Sequence, residues 1–203
     1  MPPVSIDGSK VLARFAPLLT SLDRDDLARS PDVICGVLAD DLTIGYANTA
    51  WFEFARANGA RTVWGPGDRL LEAITDPLRG FYAEKLGRVL ANKQPWEHDY
   101  ECSSADVYRE FRMRALVLGD GAGLLIVHSL RVERPHAEVG HPLVEGRYRA
   151  ASGFITQCAH CRRVRRIDPH AWDWVPELVA QPQENLTHGL CELCAAYYFG
   201  PGA

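Results

Sequence analysis

Two cysteine pairs of the same spacing stand near the end of this 203-residue chain: Cys158-Ala159-His160-Cys161 and Cys191-Glu192-Leu193-Cys194. A C-x-x-C pair presents two thiolates from one tight turn, so two pairs supply the four vertices of a tetrahedron. That donor set suits zinc, with iron as the other metal it would accept. The second pair precedes Ala195-Ala196-Tyr197-Tyr198-Phe199, an expected helix whose positive end favours ionised thiols. His160 lies inside the first pair and His188 stands just before the second, but four cysteines already complete the coordination. Neither pair is followed by the histidine of a haem-attachment motif. A thiol redox switch is the rival chemistry, and it lacks the strand-helix context of thioredoxin-type sites.

Beside the first pair runs Arg162, Arg163, Arg165 and Arg166, a candidate contact for phosphates or an acidic partner. Asp168, Asp173, Glu177, Glu184 and Glu192 offset it, and lysine occurs only at positions 10, 85 and 93, so arginine is the general basic residue here. A solvated face is favoured over a nucleic-acid site, as the net charge of -4 also suggests. A second constellation alternates along three expected strands. Trp96, His98, Tyr100, Cys102, Phe111, Met113 and His128 share a face that would either line a ligand pocket or fill a core. Catalytic arrangements are thin. Gly119 to Gly123 precedes a strand rather than a helix, which excludes a phosphate loop. Ser103 with His98 lacks a nucleophile elbow, and Asp40-Asp41 reads as a turn, so no enzyme is expected.

These residues must be positioned by elements the pattern also predicts. Hydrophobic residues at 47% and charged residues at 24% describe a globular chain without a membrane-length apolar run. The N-terminus lacks the basic and apolar regions of a signal peptide. A cytoplasmic location, with reduced thiols, is therefore expected. Val11, Leu12, Phe15, Leu18, Leu19 and Leu22 recur at helical spacing, predicting an amphipathic helical segment over 1–31, as one helix or two around Pro17. Two short strands follow, Val33 to Ala39 and Thr43 to Ala47, then a helix capped by Asn48. A long helix opens at Asp76-Pro77, and three strands alternate from Trp96 to about Arg131, with Glu97, Asp99 and Glu101 facing Arg112 and Arg114 across a ladder. Residues 32–134 thus read as α+β with an antiparallel five-stranded sheet and flanking helices. Residues 135–152 lose periodicity and read as a linker, and 153–203 as a small separate module.

The segment Ile44-Gly45-Tyr46-Ala47-Asn48, the aromatic-rich helix after it, the long helix and the meander with Cys102-Ser103 and Arg109-Glu110-Phe111 resemble the PAS sensor superfamily. The cysteine turn, expected hairpin and second cysteine helix resemble a treble-clef zinc finger. The tail also resembles a cysteine-rich extension that follows sensor domains in bacterial signalling proteins. The resemblance implies a cytoplasmic signal-sensing or adaptor protein with a structural zinc, an unspecified small-molecule ligand and a signalling partner. It also implies a homodimer, with Phe15, Leu18 and Leu22 as the expected contact. Haem is not expected, because Pro77 to Asn92 contains no histidine, and the cysteine motif of flavin-photoadduct domains is missing. The alternatives are a zinc-containing transcriptional or nucleic-acid-binding regulator and a thiol redox sensor.

Overall fold

The computed structural model describes residues 4–6, 8–137, 140–144, 146–167 and 171–200. The chain divides into two compact units. One comprises residues 1–74, 82–99 and 112–130; the other comprises 75–81, 100–111 and 131–203. No described helix is long and apolar enough to cross a membrane.

The fold is mixed α+β with a large antiparallel sheet. Its strands are β1 (Val4–Ile6), β2 (Ser9–Val11), β3 (Val33–Leu38), β4 (Ile44–Ala47), β5 (Trp96–Glu101), β6 (Val107–Leu118) and β7 (Gly123–Pro135). They lie in the order β1-β2-β4-β3-β7-β6-β5. The expected five strands are therefore extended to seven. The extension comes from the N-terminal segment, which forms the β1-β2 hairpin and pairs Val11 with Tyr46 on β4. A 3-10 turn over Ala16–Leu19 and a short helix α1 (Arg24–Arg29) follow, in place of a continuous amphipathic helix. Pro17 explains part of this, since it lacks an N–H and interrupts the ladder.

Tertiary packing explains the rest. Phe15 is fully buried, and a Cβ built on Gly36 or Gly45 would fall 2.3 or 2.4 Å from its ring. The two glycines on neighbouring strands leave a slot that the ring fills. Phe15, Leu19, Ile34, Leu38, Tyr46, Leu118, Leu125 and Val127 form one core, with Leu18 and Leu22 packed against it. The apolar stripe expected to join two copies is thus used within its own unit.

Helices α2 (Thr49–Ala57) and α3 (Leu78–Asn92) connect β4 to β5, the first strand of the meander. Asn48 caps α2 as expected: its Oδ1 accepts the Trp51 N–H at 3.0 Å and also the Ile34 N–H at 3.0 Å, tying helix to sheet. Arg112 donates to Asp99 through two bonds of 2.7 and 2.8 Å, which realises the expected pairing of acidic and basic faces.

The second sheet is built from β8 (Ile155–Cys158), β9 (Val164–Arg165), β10 (Trp172–Asp173) and β11 (Leu186–Gly189), in the order β10-β9-β8-β11. Helices α4 (Pro176–Ala180) and α5 (Glu192–Phe199) complete it. Pro176 opens α4 at a position where its missing N–H costs nothing. The segment expected as a linker over 135–152 joins this core: Tyr148, 2% exposed, clusters with Ile155, Val164, Val175 and Leu178, and Leu143 packs against them.

Candidate metal centre

The first cysteine pair sits on the turn after β8. The Cys158 N–H donates to the Arg163 carbonyl at 2.8 Å, and the Arg162 N–H to the Cys158 carbonyl at 3.1 Å. Arg162 closes the turn in the left-handed region, at φ +61°. The second pair reaches the first through β11, which runs parallel to β8 with Gly189 opposite Cys158. Ala159 N–H then donates to the Gly189 carbonyl at 2.8 Å, so the chain leaving β11 delivers Cys191 beside Cys158. Cys191 is the N-cap of α5 and Cys194 lies in its first turn.

All four residues are buried, and their sulfurs lie within 4.8 Å of one another. Four sulfurs each about 2.3 Å from a tetrahedral zinc ion are separated by about 3.8 Å. Cys161 Sγ and Cys191 Sγ are 3.8 Å apart. The residues present therefore fit a four-coordinate metal of zinc size. The local donors agree with this. The Cys191 backbone N–H points at Cys158 Sγ at 3.5 Å. Trp172 and Leu190 pack against the cluster, and the buried Trp172 indole N–H has no hydrogen-bond partner among the described residues.

The electrostatics of the cluster are those of protons shared among crowded thiols. Hydrogen bonds from Cys161, Cys191 and Cys194 hold the Cys158 thiol far below its ordinary range. Cys191 settles at about 7, the bond to Cys158 raising it and those to Cys161 and Cys194 outweighing that. Cys161 and Cys194 are raised, first by their bonds to Cys158. A dication would replace those protons and hold four thiolates together that otherwise repel. The two remaining cysteines behave differently. Burial pushes the Cys35 thiol up to about 12, and burial raises Cys102 against the opposing pull of Arg162 and Arg109. All six thiols are free of disulfides.

His160 stays out of the tetrahedron, its Nδ1 2.8 Å from the Tyr198 hydroxyl. His188 is exposed on β11. The arginine run does not form one face. Arg166 donates twice to Asp173 at 2.8 Å, Arg162 donates to the Ser103 carbonyl at 3.1 Å, Arg163 is half-buried and Arg165 is exposed.

The seven residues of the expected pocket are distributed along the meander. Trp96 and His98 stack at 5.4 Å, with Tyr82 edge-on to both. Tyr100 stacks on Phe111 at 5.8 Å. Phe111 and Met113 are each 4% exposed and Cys102 is half-buried. Burial depresses His128 to about 4, and its ring lies 6.4 Å from that of Trp51. An open groove of about 360 Å³ lies elsewhere, lined by Leu22, Asp23, Asp26, Leu27, Ser30 and Ile34.

One buried site carried no sequence signal. Asp173, 5% exposed, accepts from Arg166 and from the Tyr148 hydroxyl at 2.8 Å, with His141 at 3.8 Å and Arg147 at 3.9 Å. Its partners come from distant segments, so no short motif announces it. Comparison with protein-family models and with curated proteins returns no match for this chain.

Proposed function

We propose that this chain is a cytoplasmic sensory or adaptor protein: a PAS-type unit that meets a small molecule or a partner protein, followed by a module held together by zinc on Cys158, Cys161, Cys191 and Cys194. The observation that carries the reading is the buried set of four sulfurs at tetrahedral spacing. Four protein ligands leave no open position for a substrate, so the ion's role is structural. The sensor half is supported by the chain order of two strands, helices and three strands within one antiparallel sheet. Its output passes to a partner chain rather than through chemistry at the metal.

Native mass spectrometry of the purified full chain tests both halves, because it reports metal, small-molecule cargo and assembly together. One zinc per chain that disappears in Cys158→Ser supports the reading. Metal-free protein carrying a disulfide within either pair would overturn it in favour of a thiol redox sensor. Salt-dependent retention on DNA would move the function to nucleic-acid binding.

A further inference from the structure

Arg162 belongs to the metal centre by its backbone and to a distant turn by its side chain. Its N–H donates to the Cys158 carbonyl at 3.1 Å and closes the first cysteine turn at φ +61°. Its Nη1 donates at 3.1 Å to the carbonyl of Ser103, 59 residues earlier, in the turn that joins β5 to β6. Ser103 is 2% exposed, so that carbonyl is shielded from water, and among the described residues Arg162 is the donor that satisfies it. Residues 100–111 and 131–203 belong to the same compact unit.

The β5–β6 turn is organised around Ser103. Its Oγ donates to Glu101 Oε1 at 2.7 Å and accepts the Arg109 N–H at 3.3 Å. The Cys102 N–H donates to the Arg109 carbonyl at 3.0 Å, and the Ser104 N–H to the Val107 carbonyl at 2.9 Å. The β6 side of the turn is held by other groups. The His136 N–H donates to the Asp106 carbonyl at 2.9 Å, and the Arg134 guanidinium lies 4.3 Å over the Tyr108 ring. Arg162 holds the opposite side, where Cys102 and Ser103 leave β5.

Two opposing demands meet at Arg162. A residue with a Cβ enters the left-handed region at an energetic cost, and stays there only where surrounding structure enforces it. A buried carbonyl, for its part, is destabilised when its donor leaves. The Cys158–Cys161 turn enforces the first condition, and a bound dication would hold its two thiolates together against their repulsion. The guanidinium meets the second. We propose that Arg162 couples occupancy of the four-cysteine site to the order of the 102–109 turn, so that this turn registers whether the site holds its metal. The inference rests on the metal reading above. Removal of the metal slackens the cysteine turn, Arg162 leaves the left-handed region and its guanidinium leaves Ser103. The Ser103 hydroxyl then no longer positions the Arg109 N–H. Linkage makes the effect reciprocal, since a Ser103 carbonyl that holds Arg162 in place favours the turn geometry that binds the metal.

Amide hydrogen exchange of the full chain, resolved by NMR on zinc-loaded and chelator-treated protein, tests the coupling. Exchange at Cys102, Ser104 and Arg109 rises at least about tenfold when zinc is removed, whereas the His136 amide, bonded to Asp106, changes less. Arg162→Gly separates the two roles, because glycine adopts the left-handed region freely but carries no guanidinium. Its relieved strain offsets the lost anchor, so zinc affinity by chelator competition stays close to that of the wild type. With zinc bound, its 102–109 turn nevertheless exchanges as fast as that of the chelated wild type. Arg162→Ala keeps the strain and loses the anchor, so it binds zinc about fivefold or more weakly than Arg162→Gly, and its turn exchanges equally fast. Arg165→Ala, at an exposed position of the same run, alters neither readout. A chain that takes up no zinc defeats the metal reading and the coupling together. A zinc-binding chain whose turn exchanges equally with and without metal, or an Arg162→Gly protein that keeps wild-type protection there, defeats the coupling alone.

Discussion

Replacing Cys194 with serine strikes the metal centre where the least other structure supports it. Helix α5 has eight residues, too few to persist alone in water. The side chain of its N-cap, Cys191, does not cap the N–H groups of the first turn, and Leu193, Tyr197 and Phe199 are 84%, 54% and 50% exposed. What anchors it is one buried face: Cys191, Cys194 and Tyr198. Structural zinc contributes about 10–16 kcal/mol in small modules, so each of four thiolates carries about 2.5–4 kcal/mol. Serine offers a poorer ligand, and losing that share lowers zinc affinity by about 10²–10³-fold. Competition against chelators of graded strength measures the loss directly. Hydrogen exchange followed by mass spectrometry locates it. Peptides covering β11 and α5 should lose protection, while the core of Tyr148, Ile155, Val164, Val175 and Leu178 keeps more of its own. His188→Ala should leave both readouts near the wild type, because that imidazole lies exposed outside the tetrahedron. Unchanged zinc content and protection in Cys194→Ser, or an equal loss in His188→Ala, would refute the four-cysteine assignment.

Three further substitutions test the packing of the large sheet and the buried carboxylate. Phe15→Ala should destabilise by about 3–5 kcal/mol in chemical denaturation. Gly45→Ala should cost about 1–3 kcal/mol by forcing a methyl into the ring that fills the slot. Asp173→Asn should cost about 1–3 kcal/mol, since it removes a buried carboxylate that half-buried Arg166 and the Tyr148 hydroxyl both donate to. It should also flatten the acid side of the stability profile. Burial raises the Asp173 carboxyl, but the bonds from Arg166 and Tyr148 outweigh burial and hold it below its ordinary 3.8. Its stabilisation is therefore complete above the ordinary carboxylate range and disappears as pH falls through the lowered value. Denaturation midpoints from pH 7 down to pH 2, compared with those of Asp173→Asn, check the sign.

What the residues determined by themselves is the part governed by short-range rules. Cysteine spacing specified the donor set, because a C-x-x-C turn positions two sulfurs whatever surrounds it. The Asn48 cap and the alternation that sets Arg112 against Asp99 were legible for the same reason: one hydrogen bond or one pleat decides them. Tertiary structure decided everything that depends on which distant segment arrives. The Val11–Leu22 stripe satisfies a helical period, yet Gly36 and Gly45 open a slot that draws Phe15 onto the sheet and the chain before it into a hairpin. Residues 135–152 have no period of their own, and Tyr148 and Leu143 find a place in a core only because the layer from 155–178 arrives to cover them. The short β11 brings the two cysteine pairs together by parallel pairing, which no local sequence encodes. Local chemistry is written in neighbouring residues, whereas burial and pairing belong to partners the chain acquires only by folding.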